Sequence, residues 1–385
     1  MFREETLTVQ RPASRAIVED TLAGLIVQRA VSDPDFTYAI FPNETATFGE
    51  LYARSMDFAR GLHAAGLRSG DHVAILMPNC LDYMVAHFGV QLAGGVSVLL
   101  NARFKSHELA VLVGHCDARI LVPTSKFADA VSFSETLLTT FPGLNAQRPT
   151  ERLSVGGAPL LERIVTFGDR PWLPAQSVAA LLEQGQSVKD AALANARAWQ
   201  EKSLTGVMDY TSGATSMPKA WEMSDAGLQG SWSIFARTVN LRPGEKVWVP
   251  MPFFHSGGIG LMTGLMAHGV AIASAPHFDA ESVIAMVEQH RIEHLYPGFH
   301  LLAAPILRSP RYDPVRFDFV RVMVVIGPLG TTRELQSLLP AGVPALNLYG
   351  MSEASGLITL APYDAPQDVR LTVAGRPLKG VEVRI

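Results

Sequence analysis

An α/β fold built on mostly parallel sheets is what the sequence predicts, and three observations carry that expectation. Short apolar segments alternate with segments in which apolar residues recur at helical spacing. The short segments, such as Val73 to Met77 and Val320 to Ile326, are apolar at nearly every position, as strands buried on both faces are. Gly, Pro, Ser and Asp clusters mark the joins.

Taken in order, Thr47-Phe-Gly-Glu50 reads as a capping box, and Leu51, Met56, Ala59 and Leu62 continue a helix that Gly66 stops. A turn at Ser69-Gly70-Asp71 leads to the strand Val73 to Met77, which Pro78 closes. Leu81 to Leu92 is a second helix, and Gly94-Gly95 opens the strand Val96 to Leu100. From about Pro142 to Gln186 the chain is rich in Pro, Gly, Ser and Arg with weak periodicity. A unit boundary is therefore expected near its far side, giving an N-terminal α/β unit over 1–205 and a second over 206–385. Alternation resumes with the strand Val247 to Val249, a helix over Ala280 to His290, the strand Val320 to Ile326 and a helix opened by Thr331-Thr-Arg-Glu334. Val381 to Ile385 reads as a strand interrupted in mid-fold, so a truncated chain is expected.

With 48% hydrophobic residues in 385, the chain can cover large shared cores. Lys and Arg number 32 against 36 Asp and Glu, and a net charge of -4 disfavours a nucleic-acid partner. Cys80 and Cys116 show neither disulfide nor metal-ligand spacing, which suits a reducing cytoplasm. Met1 to Ser14 lacks the apolar run of a secretory signal. Gly257 to Ala275 carries no formal charge, yet Gly264, His268-Gly269 and Ser274 break it into a short buried helix and a strand from Val270 to Ala273. No membrane span is expected.

The stretch from Asp209 to Lys219 reads as strand, phosphate loop and helix start. Thr211, Ser212 and Thr215 offer hydroxyl donors, Gly213 lets backbone N–H groups approach an anion, and Lys219 adds a point charge. Pro218 stands where a Walker loop has Gly, which disfavours an ordinary P-loop nucleotidase. Taken alone, the cluster also suits a solvated turn. The loop resembles the T-S-G-T-T-G-x-P-K-G signature of the adenylate-forming superfamily of acyl-CoA synthetases, luciferases and peptide-synthetase adenylation domains. Ala214, Ser216 and Ala220 depart from it.

Asn347-Leu-Tyr-Gly-Met-Ser-Glu353 is similar to the family's Y-G-x-T-E segment, with Ser352 in place of Thr. By that resemblance Asn347, Leu348, Tyr349, Gly350 and Met351 border the nucleotide. Tyr349 is then expected on adenine, Ser352 on the α-phosphate, and Glu353 with Thr211 at Mg²⁺. A hydrolase nucleophile elbow at Gly350-Met-Ser352-Glu-Ala354 fails because no His follows His300. Pro250 to Gly258 resembles the family's P-x-F-H-x-x-G segment, which implies that His255 lies beside the acyl carboxylate. Ile326-Gly327-Pro328-Leu329 resembles the stretch beside adenine, and Pro297-Gly298-Phe299 takes the place of an acyl-pocket turn.

The resemblance runs from about Thr47 to Ile385. It implies an acyl-CoA synthetase-like large domain of two stacked α/β/α subdomains, the small C-terminal domain with its catalytic lysine being absent. The implied catalytic set is Lys219, His255, Ser352 and Glu353, with ATP or AMP, Mg²⁺ and coenzyme A as cofactors and co-substrate. Phe254, His255, Gly257, Gly258, Gly298, Phe299, Gly327, Gly350 and Met351 are the expected acid-binding residues, in an apolar pocket that suits a medium-chain, alicyclic or aromatic acid. A monomer or homodimer is expected. Alternatives are an adenylation domain loading a carrier protein and a non-catalytic homologue that keeps the cleft.

Overall fold

The computed structural model describes residues 21–149, 151–170, 172–198, 200–211 and 218–384. Two sheets organise them. The seven-stranded sheet runs in the order Gln176–Ser177, Arg163–Thr166, Ala118–Pro123, His72–Leu76, Val96–Leu99, Thr205–Thr211, Lys219–Ser224. The nine-stranded sheet runs Arg376–Pro377, Thr359–Leu360, Ala345–Tyr349, Val322–Ile326, His294–Phe299, Lys246–Trp248, Ala271–Ala273, Thr37–Phe41, Glu44–Thr47. Neighbours pair in parallel except at the edges, where Thr37–Phe41 with Glu44–Thr47 and Thr205–Thr211 with Lys219–Ser224 form antiparallel pairs, as do the last two strands of the larger sheet.

Sheet membership does not follow a single cut of the chain. Thr37–Phe41 pairs with Ala271–Ala273 in the larger sheet, while Thr205–Thr211 pairs with Val96–Leu99 in the smaller one. The strand that leads into the expected phosphate loop therefore belongs to the sheet built by the first half of the chain.

Strand alternation distributes side chains over three cores. Val73 and Ile75 enter a core to which residues of both sheets contribute, while Ala74 and Leu76 face a second core on the other side of the smaller sheet. Ile40 and Trp248 face a third core under the larger sheet. Helix Leu81–Leu92 is buried at every residue, and helix Ser256–Ala267 at nearly every one, both in the shared core. A helix packed on all sides has no solvent face to carry charge, and this accounts for the uncharged run from Gly257. One buried polar side chain of the first of these helices reaches both a near neighbour and a distant strand. The Gln91 Nε2 donates to Ser97 Oγ at 3.1 Å and to the Gly206 carbonyl at 2.8 Å.

The helices Leu81–Leu92 and Ala280–His290 coincide with their expected bounds, and Phe48–Ala64 begins at the Thr47/Glu50 capping box. No helix among the described residues is long and apolar enough to cross a membrane. The Pro142 to Gln186 stretch holds short strands, Arg163–Thr166 and Gln176–Ser177, at the edge of the smaller sheet, and then helix Val178–Gly185. Strands of two to four residues are too short to show periodicity. The helix expected from Thr331 starts at Leu329, directly after Pro328. Residues 381–384 form no strand, since Val381 N–H closes a turn onto the Leu378 carbonyl.

Candidate active site

A cavity of about 970 Å³ lies where the carboxyl ends of both parallel sheets meet. From the smaller sheet it takes Asn79, Arg103 and Lys126, and from the larger one Pro250, Ile326 and Gly350. Each residue lies at or just beyond the end of a strand, where open α/β sheets bind ligands.

Three sequence-distant segments are tied together there. Asp209, 1% exposed on strand Thr205–Thr211, accepts the Tyr210 N–H at 2.6 Å on one oxygen and the Ser256 N–H at 3.1 Å on the other. The His255 Nδ1 stands 4.0 Å from the same carboxylate. Ser256 Oγ in turn donates to Ser352 Oγ at 3.1 Å. The strand entering the expected phosphate loop, the His255 segment and the Tyr349 to Glu353 segment thus share one chain of hydrogen bonds. Burial pushes the Asp209 carboxyl up to about 7 against two stabilising backbone N–H groups. Burial, with the Arg103 charge adding to it, pushes His255 down to about 4, so His255 is uncharged near neutral pH.

Ser212, Gly213 and Thr215 lie outside the described residues. The Thr211 backbone pairs with that of Lys219 across the hairpin, and Lys219 is exposed. Phe254, His255, Gly257, Phe299, Leu348, Gly350, Met351 and Ser352 all line the cavity. Gly258, Gly298, Gly327, Pro328, Asn347, Tyr349 and Glu353 do not form its wall, and most of them have structural work next to it. A Cβ at Gly258 would stand 2.0 Å from the Pro252 carbonyl oxygen, so this glycine serves close backbone approach. Gly298 lies inside strand His294–Phe299 at a register shift with φ +72, where the sequence suggested a turn, and a Cβ there would meet Met251 Sδ at 2.2 Å. The Asn347 Nδ2 donates to the Gly327 carbonyl at 3.1 Å, joining two strand ends. Tyr349, 51% exposed, is not a core residue.

Several contributors had no role assigned from sequence. Asn79 donates to the Met251 carbonyl at 2.9 Å and to Ser274 Oγ at 3.0 Å, and accepts the Phe253 N–H at 2.8 Å. Tyr83 adds a bond from its hydroxyl to the Phe253 carbonyl at 3.0 Å. Together they fix the loop that presents Phe254 and His255. Asn79 follows Pro78 at a strand end, an ordinary turn signal that does not point to a partner about 170 residues on. Asp209 sits within the loop motif, yet its burial is a tertiary property.

Magnesium is held by one or two carboxylates together with substrate phosphates and water, without a dedicated protein cage. The exposed Glu353 carboxylate, next to Ser352 in the cavity wall, fits that pattern, and no cluster of three His, Cys, Asp or Glu exists among the described residues.

Comparison with known proteins agrees with this geometry. The model of the AMP-binding enzyme family matches residues 26–385. A 2-succinylbenzoate–CoA ligase of Oceanobacillus iheyensis is 25% identical over 370 residues, covering 96% of this chain and 68% of the relative. The chain spans about two thirds of the length of the curated relatives it matches. The structure of the anthranilate CoA ligase AuaEII in complex with anthranoyl-AMP superposes with a TM-score of 0.78 at 18% identity, over 94% of this chain and 65% of that one. The N-terminal domain of FACL13 from Mycobacterium tuberculosis gives a TM-score of 0.72 at 18% identity, over 93% and 82%. By its matching model, its two-sheet α/β architecture and its cavity at the strand ends, the chain belongs to the AMP-binding enzyme family, within the adenylate-forming superfamily that its motifs resemble.

Proposed function

We propose that this chain forms the nucleotide- and acid-binding part of an AMP-forming acid:CoA ligase that activates an apolar carboxylic acid. The observation that carries the reading is the Asp209, Ser256, Ser352 chain, which ties the loop-bearing strand to two other motifs that line one cavity. In the first half-reaction a carboxylate oxygen bonds to the α-phosphorus of ATP, and the bond from that phosphorus to the bridging oxygen breaks to release pyrophosphate. In the second, the sulfur of coenzyme A bonds to the acyl carbon, the bond to AMP breaks, and the thiol proton passes to solvent.

The residues position groups and balance charge. Lys219 and the loop hydroxyls of Thr211, Ser212 and Thr215 meet the triphosphate, with Gly213 allowing close approach. Because Ser256 donates to Ser352, the Ser352 hydroxyl keeps its own proton for a phosphate oxygen. Neutral His255 offers the acid a hydrogen-bonding ring without a competing charge. The exposed Tyr349 ring suits adenine, bordered by Gly327, Pro328 and Asn347. Mg²⁺, held by Glu353 with Thr211, would neutralise phosphate charge. Phe254, Phe299 and Met351 give the acid side of the cavity its apolar character. Two buried free thiols, Cys80 and Cys116, suit a cytoplasmic setting.

The test is pyrophosphate release by the full-length protein over a panel of carboxylic acids, followed by transfer to free coenzyme A or to a carrier-protein thiol. Acid-dependent release and transfer to coenzyme A are expected, and Lys219→Ala should lower release at least tenfold while the fold is kept. No release with any acid would overturn the reading in favour of a non-catalytic binder.

A further inference from the structure

The cavity runs from an exposed rim to a buried floor. At the rim Phe299 is 46% and Met351 42% exposed. At the floor Trp232, Tyr296, Leu348 and Leu357 are each at most 3% exposed. Trp232, on helix Asp225–Thr238, is the largest of these side chains.

The indole is held in place from three sides. Its Nε1 donates to the Ser355 carbonyl at 2.8 Å. A Cβ at Gly260 would stand 1.8 Å from Nε1, one at Gly264 2.7 Å from the Trp232 Cβ, and one at Gly356 2.6 Å from Cζ2. Gly260 and Gly264 lie one turn apart on helix Ser256–Ala267, so they form a groove along one helix face that the Trp232 residue fills. Glycine is otherwise unfavourable inside a helix, and the two positions are explained by the side chain they admit.

Resting on the reading of this cavity as the acid and nucleotide site, we propose that Trp232 sets the floor of the acid subsite. The acid it admits is compact, a ring or a short chain, and a long straight chain meets the indole. The glycine groove that the indole fills, between helices Asp225–Thr238 and Ser256–Ala267, would extend the cavity once the indole is removed.

The full-length protein and its Trp232→Ala, Trp232→Phe and Gly260→Ala variants would be compared on straight-chain acids of rising length and on ring acids. Pyrophosphate release and calorimetric binding are both read. Trp232→Ala should lengthen the longest acid accepted, with binding improved about fourfold per methylene newly buried. Gly260→Ala, which drives the indole toward the cavity, should shorten it. Trp232→Phe should shift the limit in the same direction as Trp232→Ala and by less, and it carries the test if the alanine variant fails to fold. An unchanged length limit in both Trp232→Phe and Gly260→Ala would overturn the proposal. A shifted calorimetric limit without pyrophosphate release from any variant or acid would support the floor and remove the ligase reading. Release with an unmoved limit would remove the floor alone.

Discussion

The Ser256 hydroxyl donates a 3.1 Å hydrogen bond to the Ser352 hydroxyl across 96 residues of sequence, while the Ser256 N–H is held by Asp209. One residue at the start of a helix thus couples the strand before the expected phosphate loop to the segment expected at the α-phosphate. The first four N–H groups of a helix lack helical partners, and the buried Asp209 carboxylate satisfies one of them.

Ser256→Ala removes the hydroxyl bond and leaves the N–H contact to Asp209 in place. A stability loss of about 0.5–1.5 kcal/mol is expected. Adenylation should slow several-fold because Ser352 loses its anchor. Denaturant unfolding and pyrophosphate release would check the two effects, and a rate equal to wild type would show that the bond does not position Ser352.

Asp209 gives a pH dependence with a defined sign. Its carboxyl is raised from 3.8 to about 7 in the fold, so the folded state holds the proton more tightly than the unfolded chain. Its stabilising contribution is complete below about pH 4 and is lost as pH rises through 7, by about 2–4 kcal/mol. Asp209→Asn should flatten the stability curve over that interval, as read by urea midpoints from pH 4 to 8. Parallel curves for wild type and variant would contradict the assignment.

His255 acts in the opposite direction. Its ring is lowered from 6.5 to about 4, so its contribution is present above 6.5 and lost as pH falls toward 4. Between these values its slope opposes that of Asp209. The ring proton resonances of His255 should titrate with a midpoint well below 6.5, and Arg103→Gln should move that midpoint upward. A midpoint at the ordinary histidine value would show the ring to be solvated.

Asn79→Ala removes three hydrogen bonds in a buried setting and strands the Phe253 N–H. A loss of about 2–4 kcal/mol is expected, along with a raised KM for the acid, since Phe254 and His255 ride on the loop Asn79 fixes. Equilibrium unfolding and acid titration would measure both. Asn79→Asp, which keeps the acceptor, should recover part of the loss.

Much of the fold was legible wherever signals are local. Thr47 and Glu50 specify a helix start by reciprocal bonds three residues apart, and the glycines, His268 and Ser274 told a buried helix and strand from a membrane span. Short edge strands such as Gln176–Ser177 and the bulge at Gly298 gave no such signal, because pairing and register depend on a neighbouring strand.

The sequence by itself determined the chemistry on offer: a hydroxyl-rich loop with Lys219, the Tyr349 to Glu353 segment, and His255 behind two phenylalanines. Their types follow from short stretches that can be read in place. Only the tertiary structure decided that His255 and Ser352 line one cavity, that Asp209 is buried with a raised carboxyl, and that Trp232 occupies the space left by Gly260 and Gly264. Burial and contact arise from which sheet each strand joins, and segments far apart in sequence, such as Asp209 with Ser256 and Ser256 with Ser352, meet beyond the sheet ends without leaving a periodicity to read.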